Sequence, residues 1–145
     1  MKPITVKEVE YIAHSLAKEL FAFNEPIPDF STRYPHRLEG CLGVPFLSFS
    51  GGSPYPSLIS KASILFYLMN KNHPFQNGNK RIAMTTLFVF LVMNGKWLKV
   101  DPEELYRFTL WIAASEPKLK DAAVQAIEKF ISSYLVNAKP KGNLS

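Results

Sequence analysis

Cysteine is almost absent: Cys41 stands alone among 145 residues, so no disulfide can close within the chain and disulfide-framework folds are excluded. A reducing compartment follows. No apolar run is long. The longest, residues 82–93, holds two threonines and is too short to span a bilayer, though long enough for a buried helix. No basic run exceeds Lys80-Arg81, and no repeat or low-complexity segment is found. The opening Met1-Lys2-Pro3-Ile4-Thr5 leads straight into an amphipathic pattern, unlike a signal peptide. These absences predict a cytoplasmic protein with no membrane and no nucleic-acid partner.

What the sequence does contain is apolar and aromatic. Hydrophobic residues make up 47% of it, with 11 Phe, 6 Tyr and 2 Trp, enough for one compact core. The net charge of +5, from 17 basic and 12 acidic residues, suits an anionic ligand such as a nucleotide, or an acidic partner.

The periodicity predicts a mainly α protein: one domain over residues 1–135 and a flexible polar tail over 136–145. Thr5-Val6-Lys7-Glu8 is a capping box. Behind it, Val6, Val9, Ile12, Ala13, Leu16, Ala17 and Leu20 form a helical stripe that ends before Pro26 and Pro28. Residues 26–56 carry six prolines and four glycines, which argues against helix and for an irregular hairpin around Val44, Phe46, Phe49, Gly51, Gly52 and Tyr55. Four helical segments follow, near 56–70, 79–94, 101–112 and 117–135. Gly95 stops the second, and Asp101-Pro102 starts the third.

Between the first two of these lies His73-Pro74-Phe75-Gln76-Asn77-Gly78-Asn79-Lys80-Arg81. The backbone N–H groups at Gly78, Asn79, Lys80 and Arg81 begin a helix, have no intrahelical acceptors, and can cradle phosphate oxygens. Lys80 and Arg81 add charge there, against the helix dipole unless an anion binds. His73 is placed to act as a general base, and Phe75 to anchor the loop in the core. The combination suits transfer of a phosphate-containing group to a hydroxyl.

These nine residues resemble the Fic/Doc signature, His-x-Phe-x-(Asp/Glu)-(Gly/Ala)-Asn-(Gly/Lys)-Arg, at His73, Phe75, Gly78, Asn79, Lys80 and Arg81. Residues 49–56, with Gly-Gly and Tyr-Pro, and the Asn94-Gly95 helix end resemble the family's surroundings. The likeness is to the short death-on-curing (Doc) branch.

The resemblance implies a Fic-type helical bundle with a short β-hairpin flap over the active-site loop, the flap docking the target peptide. It implies that His73 deprotonates a Ser, Thr or Tyr hydroxyl of a protein substrate, a translation factor among the candidates, with ATP as co-substrate. Gly78 and Asn79 would form the anion nest and Arg81 would hold phosphates. Lys80, where AMP-transferring members have Gly, points to phosphorylation; AMP transfer is the alternative. The family's Mg²⁺-binding carboxylate is Asn77 here. That leaves open a weakened metal dependence, a metal held by the phosphates, or a non-catalytic binding module. The internal inhibitory pattern fails at Pro35 before Glu39-Gly40, which implies a separate antitoxin of a toxin–antitoxin pair. Otherwise Arg37 and Glu39 are structural.

Overall fold

The computed structural model describes residues 1–19 and 26–138. Helix α1 covers residues 6–19 and opens on the expected capping box: Glu8 N–H donates to Thr5 Oγ1 (3.3 Å) and Thr5 N–H to Glu8 Oε1 (3.0 Å). Its middle, Val9–His14, is π-helical. The wider turn slips the apolar stripe, so Val9, Ala13, His14 and Ala17 are buried while Ile12 stays 42% exposed. Leu20, assigned to that stripe, lies outside the described residues.

The segment expected to be helix-free contains helix α2, Pro35–Gly43. Pro35 sits in the first turn, where its missing N–H costs nothing, and Leu38, Cys41 and Leu42 supply an i, i+3, i+4 face that is buried. Burial pushes the Cys41 thiol up to about 12, so it is a core atom and not a nucleophile. Val44–Phe46 then forms a single 3₁₀ turn. The expected hairpin reduces to one bridged pair, Phe49 and Gly52, joined by two backbone bonds of 2.9 and 2.8 Å. Pro45, Pro54 and Pro56 crowd the segment and leave no length for a ladder.

Helices α3 (Leu58–Lys71) and α4 (Asn79–Met93) form the antiparallel centre. Every residue of α3 from Lys61 to Asn70 is buried, so this helix is covered on all sides. Helix α5 (Pro102–Ala114) and helix α6 (Lys120–Tyr134) complete the bundle. Asp101 caps α5 as its sequence indicates, accepting from Glu103 N–H. At the loop end of α3, Lys71 Nζ donates to the carbonyls of Ala113 and Ser115, a cation on the C-terminus of α5.

A two-stranded antiparallel sheet closes the far end. Strand β1 (Lys96–Leu98) pairs with β2 (Leu135–Asn137) in the register Lys96–Asn137, Trp97–Val136 and Leu98–Leu135. Residues 136–138, assigned above to the tail, are therefore part of the fold, and three-residue strands carry too few side chains to show a period of two. Ala138 N–H donates to Gly95 O (3.0 Å), while the Asn94 side chain exchanges bonds with the backbone of Lys2 (2.7 and 3.0 Å). Among the described residues, no helix is long and apolar enough to cross a membrane.

Candidate active site

The loop between α3 and α4 holds its first residue in an uncommon conformation. His73 is exposed and has φ of +46°, in the left-handed region. It also precedes Pro74, which restricts its backbone further. Such a conformation costs on the order of 1–3 kcal/mol and persists only where neighbours over-determine it. The neighbours are at hand. Tyr34 N–H donates to Pro74 O (2.8 Å), and Arg37 Nη1 donates to His73 O (3.3 Å).

Phe75 anchors the loop as expected, 1% exposed, with its ring 5.7 Å from that of Phe30 and 5.9 Å from that of His14. Asn79 has a role its sequence position did not reveal. Its Oδ1 accepts from Phe75 N–H (3.0 Å) and its Nδ2 donates to Phe75 O (2.9 Å). The side chain thus closes the loop, leaving only its backbone N–H for an anion. Asn79→Ala would strand two buried backbone groups of Phe75, a loss of roughly 2–4 kcal/mol seen as a lower chemical-denaturation midpoint. A midpoint unchanged from the parent would refute the clamp.

Beneath Phe75 lies His14, which the sequence reading passed over because a lone histidine on a helical stripe carries no motif. It packs edge-on to Phe30 at 5.3 Å, and its Nε2 lies 2.9 Å from Pro28 O. A carbonyl only accepts, so the neutral ring carries its proton on Nε2. Burial holds its pKa below the ordinary 6.5, against the opposing effect of the Pro28 bond. The unfolded chain therefore binds this proton more readily. Stability from His14 is full above about pH 6.5 and falls as pH drops below it, through the folded value. His14→Gln keeps a donor without a titration, so its unfolding midpoint should vary less between pH 7.5 and 5.5. Equal slopes for the two proteins would contradict this.

Gly78 has φ of +72° and is the N-cap of α4, a residue with no side chain of its own to cap the helix. A Cβ there would lie 2.6 Å from Ile27 Cδ1 and 2.9 Å from Pro26 O. This glycine therefore admits the chain at residues 26–27, beyond the ligand approach its sequence suggests. The first backbone bond of the helix is Ile82 N–H to Gly78 O (3.0 Å), so the amides of Asn79, Lys80 and Arg81 have no acceptor within the helix. Lys80 is half-buried on that first turn. Arg81, expected to face phosphates, is only 7% exposed, and its Nη2 donates to Ala17 O in α1. Part of its guanidinium fork is committed to the fold.

Asn77 is exposed, and its Oδ1 accepts from Gly78 N–H (2.8 Å). Among the described residues, no three His, Cys, Asp or Glu side chains gather as metal ligands. A single amide oxygen already engaged by its own loop does not fit a protein-held Mg²⁺.

The flap residues lie elsewhere than expected. Pro45 O accepts from Lys61 Nζ (2.9 Å), and the Phe46 ring meets that of Phe90 at 6.1 Å. These partners sit at the end of α3 and α4 opposite the loop, since ten residues of helix separate Lys61 from Lys71, about 15 Å. Val44 belongs to the same 3₁₀ turn, Tyr55 lies beside Ile64 and Val124, and Phe49, next to Gly51 and Gly52 in the bridged turn, is 63% exposed. It is Tyr34 and Arg37, from the start of α2, that reach the loop. Glu39 instead faces His36, at 3.8 Å. An apolar cavity of about 710 Å³, lined by Ile12, Leu16, Phe88, Val92 and Trp97, runs along the C-terminal half of α4, away from His73.

Residues 3–91 match the family model described as Fic/DOC family. The chain belongs to the Fic/DOC family. The match takes in α1 to most of α4 and the whole of the loop. The chain is also 34% identical over 64 residues to Toxin Doc of Mycolicibacterium smegmatis, covering 44% of this chain and 49% of that protein. It thus spans about half the length of the curated relative it matches. No solved structure matches it. A mainly helical bundle is the fold this family membership calls for.

Proposed function

We propose that this Fic/DOC domain transfers a phosphate-containing group from ATP to a hydroxyl of a target protein. One observation carries the reading: an exposed histidine, held at positive φ, stands five residues before the glycine N-cap of a buried helix. In the step proposed, the His73 imidazole takes the proton of a Ser, Thr or Tyr hydroxyl as its oxygen attacks phosphorus. Attack at the γ-phosphorus releases ADP and leaves a phosphorylated target; attack at the α-phosphorus releases diphosphate and leaves an AMP-modified one. The positive end of the α4 helix dipole, with the Lys80 ammonium, would stabilise charge growing on the phosphoryl oxygens. Lys80 favours the γ outcome, by the resemblance noted above.

A toxin role follows from the relative named Toxin Doc, and with it a separate antitoxin and a target such as a translation factor. Mg²⁺, if used, would arrive on the nucleotide phosphates, because Asn77 offers little to hold it. A second reading, a non-catalytic binding module, is favoured by that donor set. ATP labelled at the α or the γ position, incubated with cell lysate with and without Mg²⁺, separates these readings. Transfer of γ label alone supports phosphorylation and α label alone supports AMP transfer. Transfer of neither overturns both in favour of the binding module.

A further inference from the structure

We propose that Arg37 is a positioning residue that locks the active-site histidine in its strained conformation, a role that rests on the transferase reading above. The carbonyls of His73 and Pro74, the two at the strained turn, are both held from the start of α2. Arg37 Nη1 takes the first at 3.3 Å, and Tyr34 N–H takes the second at 2.8 Å. The two holders brace one another, since the Arg37 guanidinium lies 4.3 Å over the centre of the Tyr34 ring. Pro35 follows directly in the first turn of α2, fixing the backbone between them.

The opposite side of the loop is held by Asn79, on both backbone groups of Phe75. Three consecutive residues, His73, Pro74 and Phe75, are thereby fixed from two helices. A left-handed residue before proline has no local reason to stay there, so these outside bonds supply the reason. Asn79 lies within the loop's motif and holds one end. Arg37 lies 36 residues earlier and holds the carbonyl of the histidine itself. Its guanidinium is tied to backbone and ring, so it sets where the imidazole stands and is not proposed to touch the reacting atoms.

The test compares the parent with Arg37→Ala, Arg37→Lys and Tyr34→Leu. All change exposed side chains, and Tyr34→Leu keeps the backbone bond while removing the ring under Arg37. Hydrogen exchange reads the loop independently of chemistry. The Phe75 amide should exchange about tenfold faster in Arg37→Ala, the equilibrium worth of one hydrogen bond, with core amides of α3 such as Leu65 unchanged. In the labelled-ATP assay, kcat should fall on the order of 10- to 100-fold with the KM for ATP unchanged, as expected for a displaced catalytic group. Arg37→Lys, which can still donate to His73 O, should recover part of both effects, and Tyr34→Leu should show part of both losses.

Phe75 exchange at the parental rate in Arg37→Ala overturns the proposal. So does faster exchange with an unchanged kcat, and so does a change confined to KM, which would make Arg37 a substrate contact. A parent protein that transfers no label overturns the transferase reading, and the exchange rates alone then decide whether the clamp exists.

Discussion

His73→Gly is expected to abolish group transfer while leaving the domain at least as stable as its parent. Removing a general base lowers such rates by roughly 10²–10⁴-fold. The backbone argues in the other direction. A non-glycine residue in the left-handed region carries about 1–2 kcal/mol of strain, which glycine relieves. Against this stands the greater freedom of glycine in the unfolded chain, roughly 0.5–1 kcal/mol. The His73 side chain is exposed, so its removal takes little from the core. The balance runs from near zero to a gain of about 1.5 kcal/mol, a few degrees in Tm for a domain of this size. His73→Ala removes the same base and keeps the strain, so it should be inactive and no more stable than the parent. Thermal unfolding and label transfer on the two variants measure both effects. Transfer by His73→Gly within tenfold of the parent would remove His73 from the chemistry, and a clear fall in Tm would show its backbone to be unstrained.

Gly78→Ala should be the most damaging glycine substitution among the described residues. Its φ of +72° charges an alanine about 1–2 kcal/mol. The new Cβ would also press on Pro26 O and Ile27 Cδ1, at 2.9 and 2.6 Å, and a carbonyl oxygen of the main chain cannot rotate away. Overpacking of that kind adds roughly 1–3 kcal/mol, for a total of about 2–5 kcal/mol. Gly95 isolates the first contribution: its φ is +78° with nothing within 4 Å, so Gly95→Ala should lose only the backbone part. Gly40, inside α2 with open space around it, should gain roughly 0.5–1 kcal/mol on replacement by Ala. Chemical denaturation should therefore rank the proteins Gly40→Ala, parent, Gly95→Ala, Gly78→Ala from most to least stable. Equal losses at 78 and 95 would mean that residues 26–27 do not press on the loop.

Much of the helical frame was legible in the sequence because its ends are written in short-range chemistry. Thr5 with Glu8, Asp101 with Pro102, and Gly95 each act within a turn of where they stand. What escaped the reading depends on contacts made at a distance. Proline and glycine density over residues 26–56 hid α2, whose first turn tolerates Pro35 and whose buried face repays Gly40 and Gly43. The π-turn in α1 has no signature of its own and shows only as a slip in which residues are buried. Strands β1 and β2 are each too short to alternate visibly, and they find one another across 36 residues of intervening chain.

The site divides the same way. The positions of His73 and Phe75 follow from the motif, and the start of α4 follows from the glycine before it. Where Asn79 and Arg81 point does not, because spacing tells which residues are near and not which of their atoms the fold has already taken. Arg37 and His14 lie outside the motif, and only the folded chain brings them to it.

The sheet has one more implication. Asn94 holds the backbone of Lys2 and Gly95 holds that of Ala138, so the two ends of the described chain meet at adjacent residues just past the end of the central helix. A short linker could join them, and new ends could be opened at the exposed turn between Phe49 and Gly52. Such a circular permutant would keep every helix and the entire loop in its present order in space. Lys2 and Ala138 meet at the end of α4 away from His73, so a linker joining them would leave the loop untouched.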